Sequence, residues 1–200
     1  MLRPACLFCL SLAVLTGAVH AGDLIGGNNL FFIKRNKNAN EVHYDARVQD
    51  CTWGDPAVDY YWRDLEEGPK VTSEIMPWEP PAYGFKVRRV SDEEITIQLN
   101  ALPQKKLVAR IAKTADGDCG ISTTVQIHGE PAEFASVYVH ATENLFGWPK
   151  VDYIDVLGYS EEGHPVYEGI AKTEEGERLA ALPRKPSLWK SGAASFGRPQ

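Results

Sequence analysis

Hydrophobic and polar residues alternate with period two along much of the chain. In Glu41-Val42-His43-Tyr44-Asp45-Ala46-Arg47-Val48 the even positions are apolar or aromatic and the odd ones polar, the pattern of a strand with one buried face. Ile95, Ile97 and Leu99 alternate in the same way with Glu94, Thr96 and Gln98. So do Ile121, Thr123, Val125 and Ile127 with Ser122, Thr124, Gln126 and His128. Further β-rich runs cover residues 30–35, 58–63, 85–90, 106–112, 134–142, 151–157 and 165–170, which predicts about ten strands. Turn-forming residues separate them at 36–40, 91–93, 101–104, 116–118, 129–131 and 160–163. Connections this short join antiparallel neighbours, because a parallel crossover needs about a dozen residues or more. The expected fold is all-β: a mostly antiparallel meander closed as a barrel or folded as a sandwich.

Two segments depart from the alternation. Val71 to Glu79 has Ile75 and Trp78 three apart and predicts one or two helical turns, while Pro77, Pro80 and Pro81 forbid a long helix. A short helical cap over one end of the sheet is expected. From Lys172 the pattern becomes Glu174-Glu175-Gly176-Glu177-Arg178-Leu179-Ala180-Ala181-Leu182, a short helix, followed by Pro183 and a tail with Arg184, Lys185, Lys190, Arg198 and no acid. Such a tail reads as exposed, flexible chain; contact with a membrane surface or a partner, anchored by Leu188-Trp189, is the functional alternative. The organisation is thus a single β-rich domain over 22–171, with a helix and basic tail over 172–200.

Residues 1–21 change the address. Arg3 precedes the apolar run Leu7-Phe8-Cys9-Leu10-Ser11-Leu12-Ala13-Val14-Leu15, and Val19-His20-Ala21 precedes Gly22, the order of a secretory signal peptide cleaved after Ala21. The apolar stretch is well short of the ~20 residues that span a bilayer, and no later segment is long and apolar enough to do so. A periplasmic or secreted location is expected. Cleavage leaves Cys51 and Cys119, a pair most simply joined as a disulfide in an exported protein; a catalytic thiol or zinc pair would lack a nearby second thiol or a histidine at ligand spacing. Twenty-one Lys plus Arg against 27 Asp plus Glu give a net charge of -6, which excludes nucleic-acid binding through general phosphate attraction.

The chemical motifs are few. The chain has no Gly-rich phosphate loop, G-x-S-x-G elbow, H-E-x-x-H or paired Cys-x-x-Cys, and neither a metal nor a cofactor is expected. His43 stands two residues from Asp45, a carboxylate that can orient an imidazole as a base, with Arg35 available to steady an oxyanion: a hydrolase reading. Solvated residues on the polar face of a strand are the simpler account. Asp116 and Asp118 resemble half a calcium loop, but Asp-Gly is also a tight-turn dipeptide. Arg35, Asn36, Asn38 and Asn40 put oriented donors in one turn beside the aromatics Tyr44, Tyr60, Tyr61, Trp62 and Tyr83, which suits recognition of a sugar, an anionic headgroup or a peptide. The same asparagines serve equally as left-handed turn residues and the same aromatics as core.

The first hairpin from Asn29 to Tyr44, the run Val58-Asp59-Tyr60-Tyr61-Trp62-Arg63 and the turn Ala82-Tyr83-Gly84 carry a resemblance. They resemble an exported bacterial family known as a domain of unknown function, marked by an F-x-I-x-R-x-x-N-x-N-x-V-x-Y opening, a V-x-Y-W strand and an A-Y-G turn. The resemblance spans about Asn29 to Ile170 and departs at the proline-rich stretch Met76-Pro77-Trp78-Glu79-Pro80-Pro81, where the family is more often helical. It implies one intact domain of the bacterial envelope and carries over no activity. The expected function is a non-enzymatic, exported domain that binds a small molecule, lipid or envelope protein. The alternatives are a carrier of an apolar molecule inside a barrel, a hydrolase using His43 and Asp45, and an envelope docking protein.

Overall fold

The computed structural model describes residues 28–68, 70–143 and 149–191. The expected signal segment at 1–21 and the last part of the basic tail, with Arg198, lie outside the described residues. Eleven strands among them form one sheet: β1 (Asn29–Arg35), β2 (Glu41–Gln49), β3 (Thr52–Arg63), β4 (Thr72–Ser73), β5 (Phe85–Arg89), β6 (Glu94–Leu99), β7 (Lys106–Lys113), β8 (Cys119–Ile127), β9 (Glu130–Glu143), β10 (Pro149–Tyr159) and β11 (Pro165–Ala171). A four-residue helix α1 (Pro80–Tyr83), a helix α2 (Glu174–Ala180) and a 3₁₀ turn (Pro186–Trp189) complete the described elements. The fold is all-β with a short helical cap, the sheet curled into a half-barrel.

The meander is antiparallel throughout except at one junction. β9 runs for fourteen residues and pairs along one edge with β10. On its other edge β8 pairs with Glu130 to Glu133, after which β1 takes over in parallel, Phe32 opposite Ser136 and Arg35 opposite Val139. Short loops predict only the sequential hairpins; this long-range parallel pairing joins the first strand to the ninth and brings the two halves into one sheet. The curl then sets β5 against β3, where Arg89 Nη2 donates to the Trp53 and Gly54 carbonyls, both at 2.7 Å, and the Phe85 ring meets Tyr60 edge-on at 5.1 Å.

The inner face carries the core. Phe31 stacks on Tyr44 with ring centroids 4.3 Å apart and tilts against Phe134 at 5.0 Å, and all three rings are buried. Ile95, Ile97, Leu107, Val137 and Val156 close around them. The disulfide between Cys51 and Cys119 joins the β2–β3 turn to the end of the β7–β8 turn, with Cα atoms 5.4 Å apart. Cys51 sits at φ 57° and Asp50 at φ 51°, so the two central turn residues adopt the left-handed pair that matches strand twist. Asp116-Gly117-Asp118 forms the β7–β8 turn, with Gly117 at φ 89° and the Thr114 amide donating to the Asp118 carbonyl.

Three expectations are corrected. β3 begins at Thr52, not Val58, and carries the Asp55–Pro56 bond in cis; β4 reaches only Trp62 and Arg63, so at Pro56 no ladder bond is lost on that edge. Val71 to Glu79 is not helical: it contains β4, and the helical turn lies just beyond, where Pro80 and Pro81 occupy first-turn positions that need no N–H donor. The tail after Pro183 is not free chain as far as Ser191. Trp189 is buried and its Nε1 donates to the Gly158 carbonyl at 2.8 Å, so the Leu188-Trp189 pair is packed on the outer face of the sheet and is no membrane anchor. A single 3₁₀ turn after prolines leaves no periodic signal to read. α2 lies so close to β10 that a Cβ at Gly176 would stand 1.9 Å from the Asp152 carbonyl oxygen, which requires glycine there. Among the described residues no helix is long and apolar enough to cross a membrane.

Candidate binding cleft

Register divides the residues singled out in the first three strands between two faces. Ile33 pairs with Val42 and Val42 with Trp62, while Lys34 pairs with Glu41, and His43 with Phe32 and Tyr61. Because side chains alternate across a strand, Arg35, Tyr44, Tyr60 and Trp62 share the inner face, and Lys34, Glu41, His43, Asp45 and Tyr61 share the outer one.

On the inner face the expected ligand-binding set splits. Arg35, Asn40 and Trp62 line one open cleft of about 240 Å³, completed by Asp64, Ser73, Glu74, Met76 and Glu79. Tyr44, Tyr60 and Tyr83 lie behind it in the core: the Tyr44 hydroxyl donates to the Tyr83 carbonyl at 2.5 Å, Tyr60 packs on Tyr44, and Tyr83 meets Trp62 edge-on at 5.0 Å. Asn36 works elsewhere. Its side chain donates to the Ala141 carbonyl at 3.1 Å and accepts from the Ala141 amide at 2.9 Å, extending the β1–β9 ladder after β1 ends. Asn40 Oδ1 accepts the Glu66 amide, and Asn38 does not line the cleft; its buried Oδ1 has no hydrogen-bond partner. None of the three asparagines has positive φ, so they shape this turn by side-chain bonds rather than by left-handed backbone.

The cleft is rigid at its floor. The Arg35 guanidinium lies over the Trp62 ring, 4.9 Å from its centroid. Burial pushes the Tyr83 phenol above its ordinary value while Arg35 pulls it back. Glu79 Oε2 accepts from Trp62 Nε1 at 3.1 Å and from the Met76 amide at 2.7 Å, tying the proline-rich loop to the strand beneath. Between Met76 and Glu79 stands Trp78, 73% exposed, the most exposed large apolar side chain described. One guanidinium therefore faces three carboxylates, Asp64, Glu74 and Glu79. That charge balance disfavours the anionic headgroup among the expected ligands. Asp64, Ser73, Glu74, Met76 and Glu79 are cleft residues that the sequence does not mark as such; the one signal is the stretch Met76 to Pro81, whose prolines keep the short helical spacing of Ile75 and Trp78 from forming a helix that would bury the indole.

Two larger depressions, of about 440 and 410 Å³, flank Pro131. Their main polar groups are already engaged: Lys105 with Glu168 and the Gln126 carbonyl, His128 Nε2 with the Tyr167 carbonyl, and Ser160 with Glu162. Neither has a Phe, Tyr or Trp among its lining residues.

The outer face holds His43 and Asp45; the histidine is buried and the aspartate half-buried. His43 is 2% exposed and Glu41 fully buried. The Asn29 amide donates to Asp45 Oδ1 at 2.7 Å, which orients it to present its other hydrogen to His43 Nδ1 at 3.0 Å. Nδ1 thus accepts, Nε2 carries the hydrogen, and Nε2 donates to Glu41 Oε2 at 2.9 Å. An imidazole bonded in this way has no lone pair free to act as a base. Arg35 is across the sheet, so the three groups of the hydrolase reading do not converge. Among the described residues no group of three or more His, Cys, Asp or Glu could hold a metal ion.

Tyr61 donates to Asp45 Oδ2 at 2.7 Å, and burial together with that bond pushes its phenol up to about 12. Tyr138, at the same face, is also pushed up to about 12 by burial. Their folded pKa values exceed the unfolded one, so their contribution to stability is complete below pH 10 and is lost as pH rises toward 12. Alkaline spectrophotometric titration is expected to show a late tyrosine phase near pH 12 in the folded protein, smaller in Tyr61→Phe. Titration of every tyrosine near pH 10 without unfolding would contradict this placement.

A family model described as domain of unknown function (DUF4833) matches residues 31–169. No curated protein and no solved structure matches the chain.

Proposed function

The chain belongs to this family, whose membership assigns no activity, and we propose that it is an exported, non-enzymatic domain that binds a hydroxyl-rich ligand, a sugar, at the Arg35–Trp62 cleft. The observation that carries the reading is Trp78, 73% exposed on the loop between Met76 and Glu79, two residues that line a cleft of carboxylates, an amide, a hydroxyl and a guanidinium. A flat indole offers its face to the C–H side of a sugar ring at low entropic cost. Asp64 and Glu74 accept hydroxyl or N-acetyl N–H groups, while Asn40, Ser73 and Arg35 supply donors. The rigid floor reduces the ordering that binding requires. The signal segment supports export, and the disulfide suits an oxidising compartment.

Binding at the surface is favoured over carriage of an apolar molecule because Phe31, Tyr44 and Phe134 pack the interior where a cargo would lie. The test is calorimetric titration of the protein with chitotriose, a soluble β-1,4-linked N-acetylglucosamine trisaccharide. Binding is expected, weakened at least tenfold in Trp78→Ala with the thermal midpoint unchanged, because Trp78 is exposed. Equal binding by Trp78→Ala, or none by the intact protein to this and other neutral oligosaccharides, would defeat the proposal.

A further inference from the structure

The outer face of β1, β9 and β10 is covered by residues 186–191, beyond the family match that ends at residue 169. The way this segment is held differs from ordinary core packing. Only its Leu188 and Trp189 side chains are apolar anchors, seated among Ala135, Leu157, Tyr138 and Tyr167, with the Trp189 Nε1 donating to the Gly158 and Val166 carbonyls. Its remaining contacts read main-chain groups that any peptide has: Lys34 Nζ donates to the carbonyls of Ser187 and Lys190, and Ser136 Oγ to that of Leu188 at 2.7 Å. At its end the Ser191 hydroxyl donates to Glu41 Oε2 at 2.5 Å and lies 3.4 Å from His43 Nε2.

The groups beneath also bond one another. Glu41 is bonded by His43 at 2.9 Å and faces Lys34 at 3.1 Å, His43 is fixed by Asn29, and Asn29 by Asp45. A charged pocket whose groups bond one another, an aromatic seat and two donors aimed at main-chain carbonyls are the parts of a peptide-recognition site, in which apolar pockets give selectivity and backbone bonds give affinity. On the other side of Lys185, Arg184 is anchored separately, paired with Asp155 and bonded to the last carbonyls of α2, so the segment joins the domain through one exposed residue.

We propose that this face is a peptide-binding groove, filled here in cis by residues 186–191, that accepts a partner peptide bearing Leu-Trp followed two residues later by a hydroxyl side chain. A tethered segment competes at an effective concentration in the millimolar range, so the intact chain binds such a peptide weakly and only release of the segment opens the groove. This site is separate from the Arg35–Trp62 cleft and stands or falls without it.

The test uses the full chain with a protease site inserted between Arg184 and Lys185, cut after folding, and a fluorescent peptide of residues 185–191 as probe. Native mass spectrometry and anisotropy are expected to show the cut segment retained, then replaced by excess probe. Probe binding to the uncut chain should be at least tenfold weaker, and a probe with Trp189→Ala should not exchange. The proposal is overturned if the cut segment never exchanges. It is equally overturned if the domain unfolds once the segment leaves, or if the emptied, folded domain binds no probe; the segment would then be a fixed part of the fold.

Discussion

Replacing Cys51 and Cys119 together by serine is expected to lower stability by about 4 kcal/mol, the loop-closure entropy of a bridge across a sequence separation of 68. For a domain of this size that is a fall of roughly 10 °C in the thermal midpoint. The bridge joins two hairpin turns whose strands lie far apart in the sheet order, β2 and β3 on one side of β1 and β7 and β8 beyond β9. It therefore closes the curl across the parallel junction rather than reinforcing any one hairpin. Calorimetric scans with and without reductant measure the effect directly. A shift of under 2 °C would mean that the curl is held by the core and the Arg89 bonds alone. The cleft lies on the Trp62 side of β3, away from the bridge, so ligand affinity in the oxidised and serine forms should agree at temperatures where both are folded.

Tyr44→Ala is expected to cost about 3–5 kcal/mol, the range for deleting a fully buried aromatic side chain. Its ring stacks on Phe31 and packs against Tyr60 and Phe85, and its hydroxyl holds the Tyr83 carbonyl behind the cleft. Tyr44→Phe isolates the hydrogen bond and should cost about 1–3 kcal/mol, because it leaves that carbonyl without its partner. Chemical denaturation measures both. If Tyr44→Ala were as stable as the parent but lost ligand, the residue would be a contact in the site, as its place among the hairpin aromatics first indicated, and the assignment to the core would be wrong.

That contrast locates what the sequence makes legible. Alternation in Glu41 to Val48 identifies a strand and its two faces, and the spacing of turns gives the order of hairpins. It does not tell which face water reaches. His43 and Asp45 occupy the polar face of β2, and that face is covered by a segment almost 150 residues away, whose single turn and one tryptophan carry no period. The aromatic positions are evident too, but Tyr44 and Trp78 differ only in surroundings that the curl of the sheet creates. The parallel β1–β9 pairing is a long-range event, chosen by the fit of Phe32 and Ile33 beside Ser136 and Val137 rather than by loop length. Motif reasoning found Arg35, Asn40 and Trp62 because they sit on regular strands or at their ends. The opposite wall of the cleft stayed hidden because prolines hold it in an irregular loop.

The most direct test of the account is the indole N–H region of a ¹H–¹⁵N spectrum recorded while chitotriose is titrated in. Trp78 reports the loop between the cleft residues Met76 and Glu79, Trp62 the cleft floor, Trp53 the interior of the half-barrel and Trp189 the outer groove. The account predicts that the Trp78 and Trp62 signals move together along one binding curve while Trp53 and Trp189 stay in place. Movement of Trp53 or Trp189 with Trp78 unchanged would contradict it, and would place the ligand inside the sheet or beneath the C-terminal segment.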